Sequence, residues 1–342
     1  MLLITACDVG TANYLAPVLP MLNCPWKAFA QPRAAAVWDG LRIAHTLIED
    51  SAPQTLTNTA EDIFRRDRYG ALLAGTSWGM TIDKAATLAA RAQGLPSAAV
   101  VEHWGLYRER FSDVSDGRIV RADAYLPDWI WLNDEDAIAA AAAAGLPEDR
   151  LRALGQPHLE RQRAALARRS ETPDDGSVVF ISERIRSDFP AGSDLDMGFD
   201  EHLALQGLLE ALPEGAELTI KLHPQETPDK YDYLKNRGMR AEIVQVCDLE
   251  QLILKAGTLV GMVSMVLLEA ALVRDDVVSF MPGGRPEDFI GNELGATTAI
   301  TTTEALAKRL SAPAMNKRAA ASFGERFDGS NDRVARAAEA LL

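Results

Sequence analysis

The sequence predicts an α/β chain built as two doubly wound parallel-sheet domains that face a central cleft. Three observations carry that expectation. The 342 residues are long for one domain and comfortable for two. Short apolar runs alternate with helical patterns from end to end, as in parallel sheets covered on both faces. The rhythm breaks once, near residues 155–176, and a second series follows. The expected organisation is a first domain over 1–155, a linker over 156–176, a second domain over 177–325 and a C-terminal helix over 326–342.

In order, "LLITA" (Leu2–Ala6) predicts the first strand, followed by "ALLAG" (Ala71–Gly75), "SAAVV" (Ser97–Val101) and "DWIWL" (Asp128–Leu132). "TIDKAATLAARAQG" predicts a helix with Asp83 and Lys84 early and Gly94 as its stop. "NDEDAIAAAAAAGLP" predicts another: an Asn/Asp cap, acids in the first turn, an alanine body, then Gly145 and Pro147. "GLPEDRLRALGQPHLERQRAALARRSETPDDGS" reads as a short strand, a Gly-Gln-Pro turn, a basic helix and a polar, acidic linker. The second series places strands at "SVVFIS" (Ser177–Ser182), "ELTIKL" (Glu217–Leu222), "AEIVQV", "TLVGMV" (Thr258–Val263), "DVVSF" (Asp276–Phe280) and "TTAIT", with helices between them.

Composition narrows the function. With 47% hydrophobic and 25% charged residues the chain is an ordinary globular protein. Its net charge of -14 argues against a general nucleic-acid or anionic-membrane surface. Cys7, Cys24 and Cys247 are scattered, which indicates neither a disulfide framework nor a zinc site. "MLLITACDVG" lacks the charged n-region and long apolar run of a signal peptide, and no run approaches the roughly 18 apolar residues of a membrane span. The expected location is the cytoplasm.

Candidate chemistry lies where strands end, because ligands of open parallel sheets bind beyond the carboxyl ends of the strands. In "CDVGTANYLAP", Gly10 lets the backbone turn tightly and Asp8 is placed either to accept a proton or to cap the next helix. In "VVEHWGLYRERF", Glu102, His103, Trp104, Tyr107, Arg108 and Arg110 crowd together. Trp104 and Tyr107 suit a sugar or base, and His103 suits an acid, base or donor role. The alternative is aromatics filling a core beneath solvated arginines. In "FISERIRSDF", Glu183, Arg184 and Arg186 form a cluster that either holds a phosphate or pairs with nearby acids. In "LTIKLHPQE", Pro224 ends the strand and leaves His223 at the sheet edge. In "VGMVSMVLLEAAL", Ser264 opens a helix that carries Glu269, as a phosphate ligand or a plain N-cap. No DxD triplet offers a metal clamp at a strand end; "DLD" at 194–196 sits in a polar, glycine-flanked loop, and "DDG" at 174–176 falls in the linker.

Two α/β halves joined at "LRALGQP", with "KLHP" and a Ser-led helix containing Glu, resemble the GT-B glycosyltransferase fold. The second half is similar to the bacterial sialyltransferase and capsule-polysaccharide transferase group. "ITACDVGTANYLAP" and "LPEDRLRALGQPHLE" resemble the wider group that includes UDP-N-acetylglucosamine 2-epimerases. The resemblance implies that His223 and Ser264 contact donor phosphate, that Glu269 lies near the ribose and that the C-terminal helix packs back toward the first domain.

The expected function is a metal-independent glycosyltransferase that moves a sugar from a CMP- or UDP-linked donor to a hydroxyl acceptor in surface glycan or glycoconjugate synthesis. Asp8 and His103 are its candidate catalytic groups. Gly10, Glu183, Arg184, His223, Pro224, Ser264 and Glu269 are the candidates for the nucleotide sugar, and Glu102, Trp104, Tyr107 and Arg108 for the acceptor. No cofactor and no metal are expected. The expected partners are a nucleotide sugar and a glycan, lipid-linked or protein acceptor, with no nucleic acid and with room for a homodimer. Two alternatives stay open: a nucleotide-sugar 2-epimerase or hydrolase with Asp8, Glu102 and His103 as acid–base groups, and a non-catalytic partner subunit, since fold alone does not fix function.

Overall fold

The computed structural model describes every residue except 116–117, 170–175, 194, 238–240 and 313–320. The chain folds as two units: Met1–Arg161 with Arg326–Leu342 (unit 1), and Gln162–Glu325 (unit 2).

Unit 1 contains β1 (Leu2–Ala6), β2 (Trp26–Ala30), β3 (Thr46–Leu47), β4 (Ala71–Ala74), β5 (Ser97–Val100), β6 (Asp113–Ser115), β7 (Arg118–Arg121), β8 (Trp129–Leu132) and β9 (Leu151–Ala153). Seven of these form one sheet in the order β3-β2-β1-β4-β5-β8-β9, and every pair in it is parallel. β1, β4 and β5 are buried at every residue, which is why they read as unbroken apolar runs. β2 carries the exposed Lys27 and β3 is two exposed residues, so neither has the apolar run that marks a strand in sequence. The antiparallel pair β6–β7 stands apart from the main sheet.

Local chemistry sets the helix limits. Asp134 caps the helix Glu135–Ala143, accepting from the Ala137 N–H at 2.8 Å, a contact of about 1 kcal/mol. Gly145 ends it at φ +91, a conformation that favours glycine. The helix Ser330–Glu339 belongs to unit 1, where Val334, Ala335 and Ala338 pack into one cluster with Leu2, Ile4, Tyr14 and Trp38. Gly155 (φ +103) makes this possible, because a Cβ there would fall 2.0 Å from Ser330 Oγ. The Gln156 N–H donates to that same hydroxyl at 3.1 Å. In the stretch expected as a linker, Pro157–Arg168 is helical, while Asp174 and Asp175 of the "DDG" triplet lie outside the described residues.

Unit 2 contains β10 (Val178–Ile181), β11 (Leu218–Lys221), β12 (Ala241–Val244), β13 (Thr258–Gly261), β14 (Val277–Phe280) and β15 (Thr298–Ile300). They form one all-parallel sheet in the order β12-β11-β10-β13-β14-β15. In both sheets the first strand lies in the interior and the strand order reverses beside it. The reversal falls between β1 and β4 in unit 1 and between β10 and β13 in unit 2. Such switch points open a crevice at the carboxyl ends of the strands.

Candidate active site

At the unit 1 switch point the chain leaves β1 through Asp8 and leaves β4 through Gly75. Asp8 caps the helix Val9–Leu15, its Oδ1 accepting from the Thr11 N–H at 2.9 Å. The capping role and a chemical role therefore coexist on one side chain. Glu102, just past β5, lies against this loop: a Cβ on Gly10 would sit 2.9 Å from its Cγ and from its Oε1. Arg110 holds Glu102 Oε1 at 3.3 Å and reaches the Thr76 hydroxyl at the same distance. Burial pushes Asp8 up to about 6, and the neighbouring Glu102 charge adds to the rise.

Asp83, on the helix Ile82–Ala92, is 1% exposed, and among the described residues no donor meets either carboxylate oxygen at hydrogen-bonding distance and angle. Thr5, Cys7 and the Gly75 N–H are the polar groups that face it, and burial pushes it up to about 6. Thr5, Thr11 and Thr81 hydroxyls, Glu102 Oε2 and both amide atoms of the buried Asn133 are likewise without partners. These groups all follow or end β1, β4, β5 and β8, so the carboxyl edge of this sheet gathers buried polar atoms. Neither Asp83 nor Asn133 stood out in the sequence. Each lies in or beside a strong helix pattern, and only its burial without a partner distinguishes it.

The other candidates of unit 1 divide. Burial and the Arg110 charge hold His103 down at about 4, so it is neutral at pH 7 and serves as a donor or acceptor, not as a cationic acid. Trp104 is 6% exposed, donates its indole N–H to Asp134 at 3.1 Å and packs edge-on against Phe327. Tyr107 is also buried. The expectation that these rings stack on a sugar is corrected: both are core residues, because a Trp or Tyr that fills a core buries its faces. Arg108 is paired with Asp123 at 3.1 and 2.8 Å, which replaces the expected acceptor contact with a structural one.

At the unit 2 switch point Glu183 follows β10 and spans to the end of β13. Its Oε1 accepts from the Met262 N–H at 3.1 Å and from the Val263 N–H at 2.9 Å. Burial pushes it up to about 7 despite those two bonds. His223 follows β11. Its Nδ1 accepts from the Gln225 N–H at 3.2 Å, which places the ring proton on Nε2 and leaves that N–H as a donor. Burial lowers its pKa, so the neutral form dominates at pH 7.

The loop around His223 and Pro224 is held from beneath. Glu226 accepts from the His223 N–H at 2.7 Å, from the Ser182 hydroxyl at 2.9 Å and from Lys230. Lys230 also bonds Glu201, and Tyr231 meets the Ser182 hydroxyl at 2.7 Å. Gln245 donates to the carbonyls of Pro224 and Glu226 at 3.2 and 2.6 Å. Glu226 and Lys230 are neighbours in one loop, while Glu201 and Ser182 come from elsewhere in the chain, which is why no local pattern announced the cluster.

Arg184 bonds Gln225, Ser187 and Asp188, and Arg186 bonds Asp200 at 2.6 Å. The alternative of pairing with nearby acids is thus the one observed for both arginines. Ser264 is the N-cap of the helix Met265–Ala271, accepting from the Val266 N–H at 3.2 Å. Glu269 is 7% exposed on that helix and accepts from Gln162 at 3.2 Å. Asp194 lies outside the described residues, and Asp196 accepts from the Gly192 and Gly198 N–H groups within its own loop. Among the described residues no cluster of three or more His, Cys, Asp or Glu is arranged to hold a metal ion, and no helix is long and apolar enough to cross a membrane.

A pair of Rossmann-like units of the GT-B kind is the class that this fold defines, and solved structures bear that out. A candidate UDP-N-acetylglucosamine 2-epimerase from Listeria monocytogenes aligns over 99% of this chain and 95% of its own, with a TM-score of 0.70 at 14% identity. The UDP-N-acetylglucosamine 2-epimerase of Methanocaldococcus jannaschii aligns over 99% and 100%, with a TM-score of 0.67 at 16% identity. An Anabaena protein solved with UDP-glucose aligns over 99% of both chains, with a TM-score of 0.63 at 12% identity. At these identities the likeness establishes the fold. No protein-family model and no curated protein sequence matches the chain.

Proposed function

We propose that the chain is an enzyme acting on a UDP-linked sugar as an epimerase or hydrolase. The observation that carries this reading is the pair Asp8 and Glu102 against Gly10, with Asp8 raised to about 6 and Arg110 on Glu102. Inverting a sugar carbon requires a base that takes a proton and an acid that returns one. Two carboxylates in unlike environments supply both roles, and a group that titrates near 6 exchanges protons readily at neutral pH. In unit 2, the Nε2–H of His223 is suited to a diphosphate oxygen, where a fixed donor stabilises charge on a departing nucleotide. The presence of UDP-N-acetylglucosamine 2-epimerases among the structural neighbours supports this reading over the transferase expected from sequence.

The test is incubation of the purified protein with UDP-N-acetylglucosamine and no acceptor, followed by proton NMR. The expected result is an epimeric sugar or free UDP, formed at a rate that Asp8→Asn abolishes. Turnover that begins only when a hydroxyl acceptor is added would make the protein a transferase. Absence of both turnover and UDP binding would leave only the non-catalytic alternative.

A further inference from the structure

Asp83 is the buried acid that the proposed chemistry does not use. It lies behind the unit 1 switch point, 1% exposed, with both oxygens unpartnered among the described residues. Its Oδ2 comes within 3.0 Å of the point where a Cβ on Gly75 would sit, and Thr11 Oγ1 comes within 2.6 Å of that same point. Thr11 in turn gives its backbone N–H to Asp8. Asp8 and Asp83 thus flank one threonine, in a region that water reaches poorly, and among the described residues no cation is hydrogen-bonded to either carboxylate. We propose that Asp83 is a positioning residue for the reaction: its charge and that of Asp8 oppose one another, so the proton affinity of the base belongs to the pair. Like charges in a desolvated site cannot both ionise freely, and such groups titrate together. The other ionisable groups that face the pair are Cys7 and Lys84 near Asp83, and Glu102 and Arg110 near Asp8. Lys84 is turned to the Ser112 carbonyl, 3.2 Å away, and to the Tyr125 ring. At 1% exposure Asp83 acts through Asp8 and not on the substrate itself.

The proposal rests on the acid–base reading of Asp8, and its test separates the two. Asp8 is titrated by carbon NMR of its side-chain carboxyl in the wild-type chain and in Asp83→Asn, without substrate. The Asp8 midpoint is expected to fall by about half a pH unit or more, roughly a threefold change in proton affinity, and the acid limb of the pH–rate profile to move down with it. An Asp8 midpoint that stays put in Asp83→Asn overturns the proposal, whatever happens to stability. A shifted midpoint in a protein that turns over no nucleotide sugar supports the coupling and removes the functional reading instead. Coupling is reciprocal, so Asp8→Asn must lower the Asp83 midpoint equally. That second titration decides the matter if Asp83→Asn does not fold.

Discussion

At the edge of the unit 2 sheet, the Glu183 carboxylate takes two backbone N–H groups from the end of β13. At the corresponding edge of unit 1, Asp83 takes none and Asp8 takes one, from its own helix turn. All three acids are raised by burial, yet they are used differently. Glu183 ties two strand ends together and satisfies amides that would otherwise be buried without acceptors, a contribution of about 1–3 kcal/mol. The unit 1 acids leave polar capacity open at an edge where, among the described residues, Glu102 Oε2, the Asn133 amide and three threonine hydroxyls also lack partners. The difference teaches that a buried carboxylate is scaffolding when donors surround it. Where they do not, its charge is left to its neighbours in space.

The largest expected effect tests the chemical side of that contrast. Asp8→Asn keeps the cap, because asparagine also caps helices, but it removes the proposed base. Turnover of the nucleotide sugar should fall by roughly a hundredfold or more while UDP affinity in calorimetry stays the same. A matching loss of UDP affinity would place Asp8 in binding, not in chemistry.

Next is the packing that brings the unit 1 acids together. In Gly75→Ala the new methyl would fall 2.5 Å from Thr11 Cγ2 and 2.6 Å from its Oγ1. The overpacked switch point should lose about 1–3 kcal/mol in a denaturant melt. Unchanged stability would show that this edge is looser than its burial implies.

His223→Ala addresses unit 2. Removing one neutral donor should weaken UDP binding roughly tenfold, about 1.4 kcal/mol, with little change in melting temperature. Full UDP affinity in this variant would remove His223 from the nucleotide site.

The smallest effect concerns Glu183 as scaffold. Its carboxyl is raised from 4.5 to about 7, so ionisation is disfavoured in the folded state. The stability it contributes is present below pH 4.5 and is lost as pH rises through about 7. Glu183→Gln keeps an acceptor oxygen for Met262 and Val263 but cannot ionise. The variant should therefore gain on the wild type between pH 5 and pH 8 in thermal melts. A difference that is flat with pH would mean that Glu183 does not titrate in that window.

The sequence by itself determined the two α/β series of strands and helices. Apolar runs such as "LLITA" and "SVVFIS" are local signals of strands buried on both faces, and Asp134 and Gly145 mark a helix through contacts within one turn. The thin, exposed β3 and the Lys27-bearing β2 left no such signal. The tertiary structure alone decided which polar groups meet and in what medium. Trp104 became core because Phe327 and Asp134 close over it. Arg184 was taken by Asp188 and Gln225, and Glu226 joined its own loop, through His223 and Lys230, to the distant Ser182. Asp83 sits in an ordinary amphipathic helix pattern, and only packing against β1 and Gly75 buries it where no described donor reaches hydrogen-bonding geometry. Periodicity is set by neighbours a few residues apart along the chain. Desolvation and charge coupling are set by neighbours in space, and the chain order does not contain them.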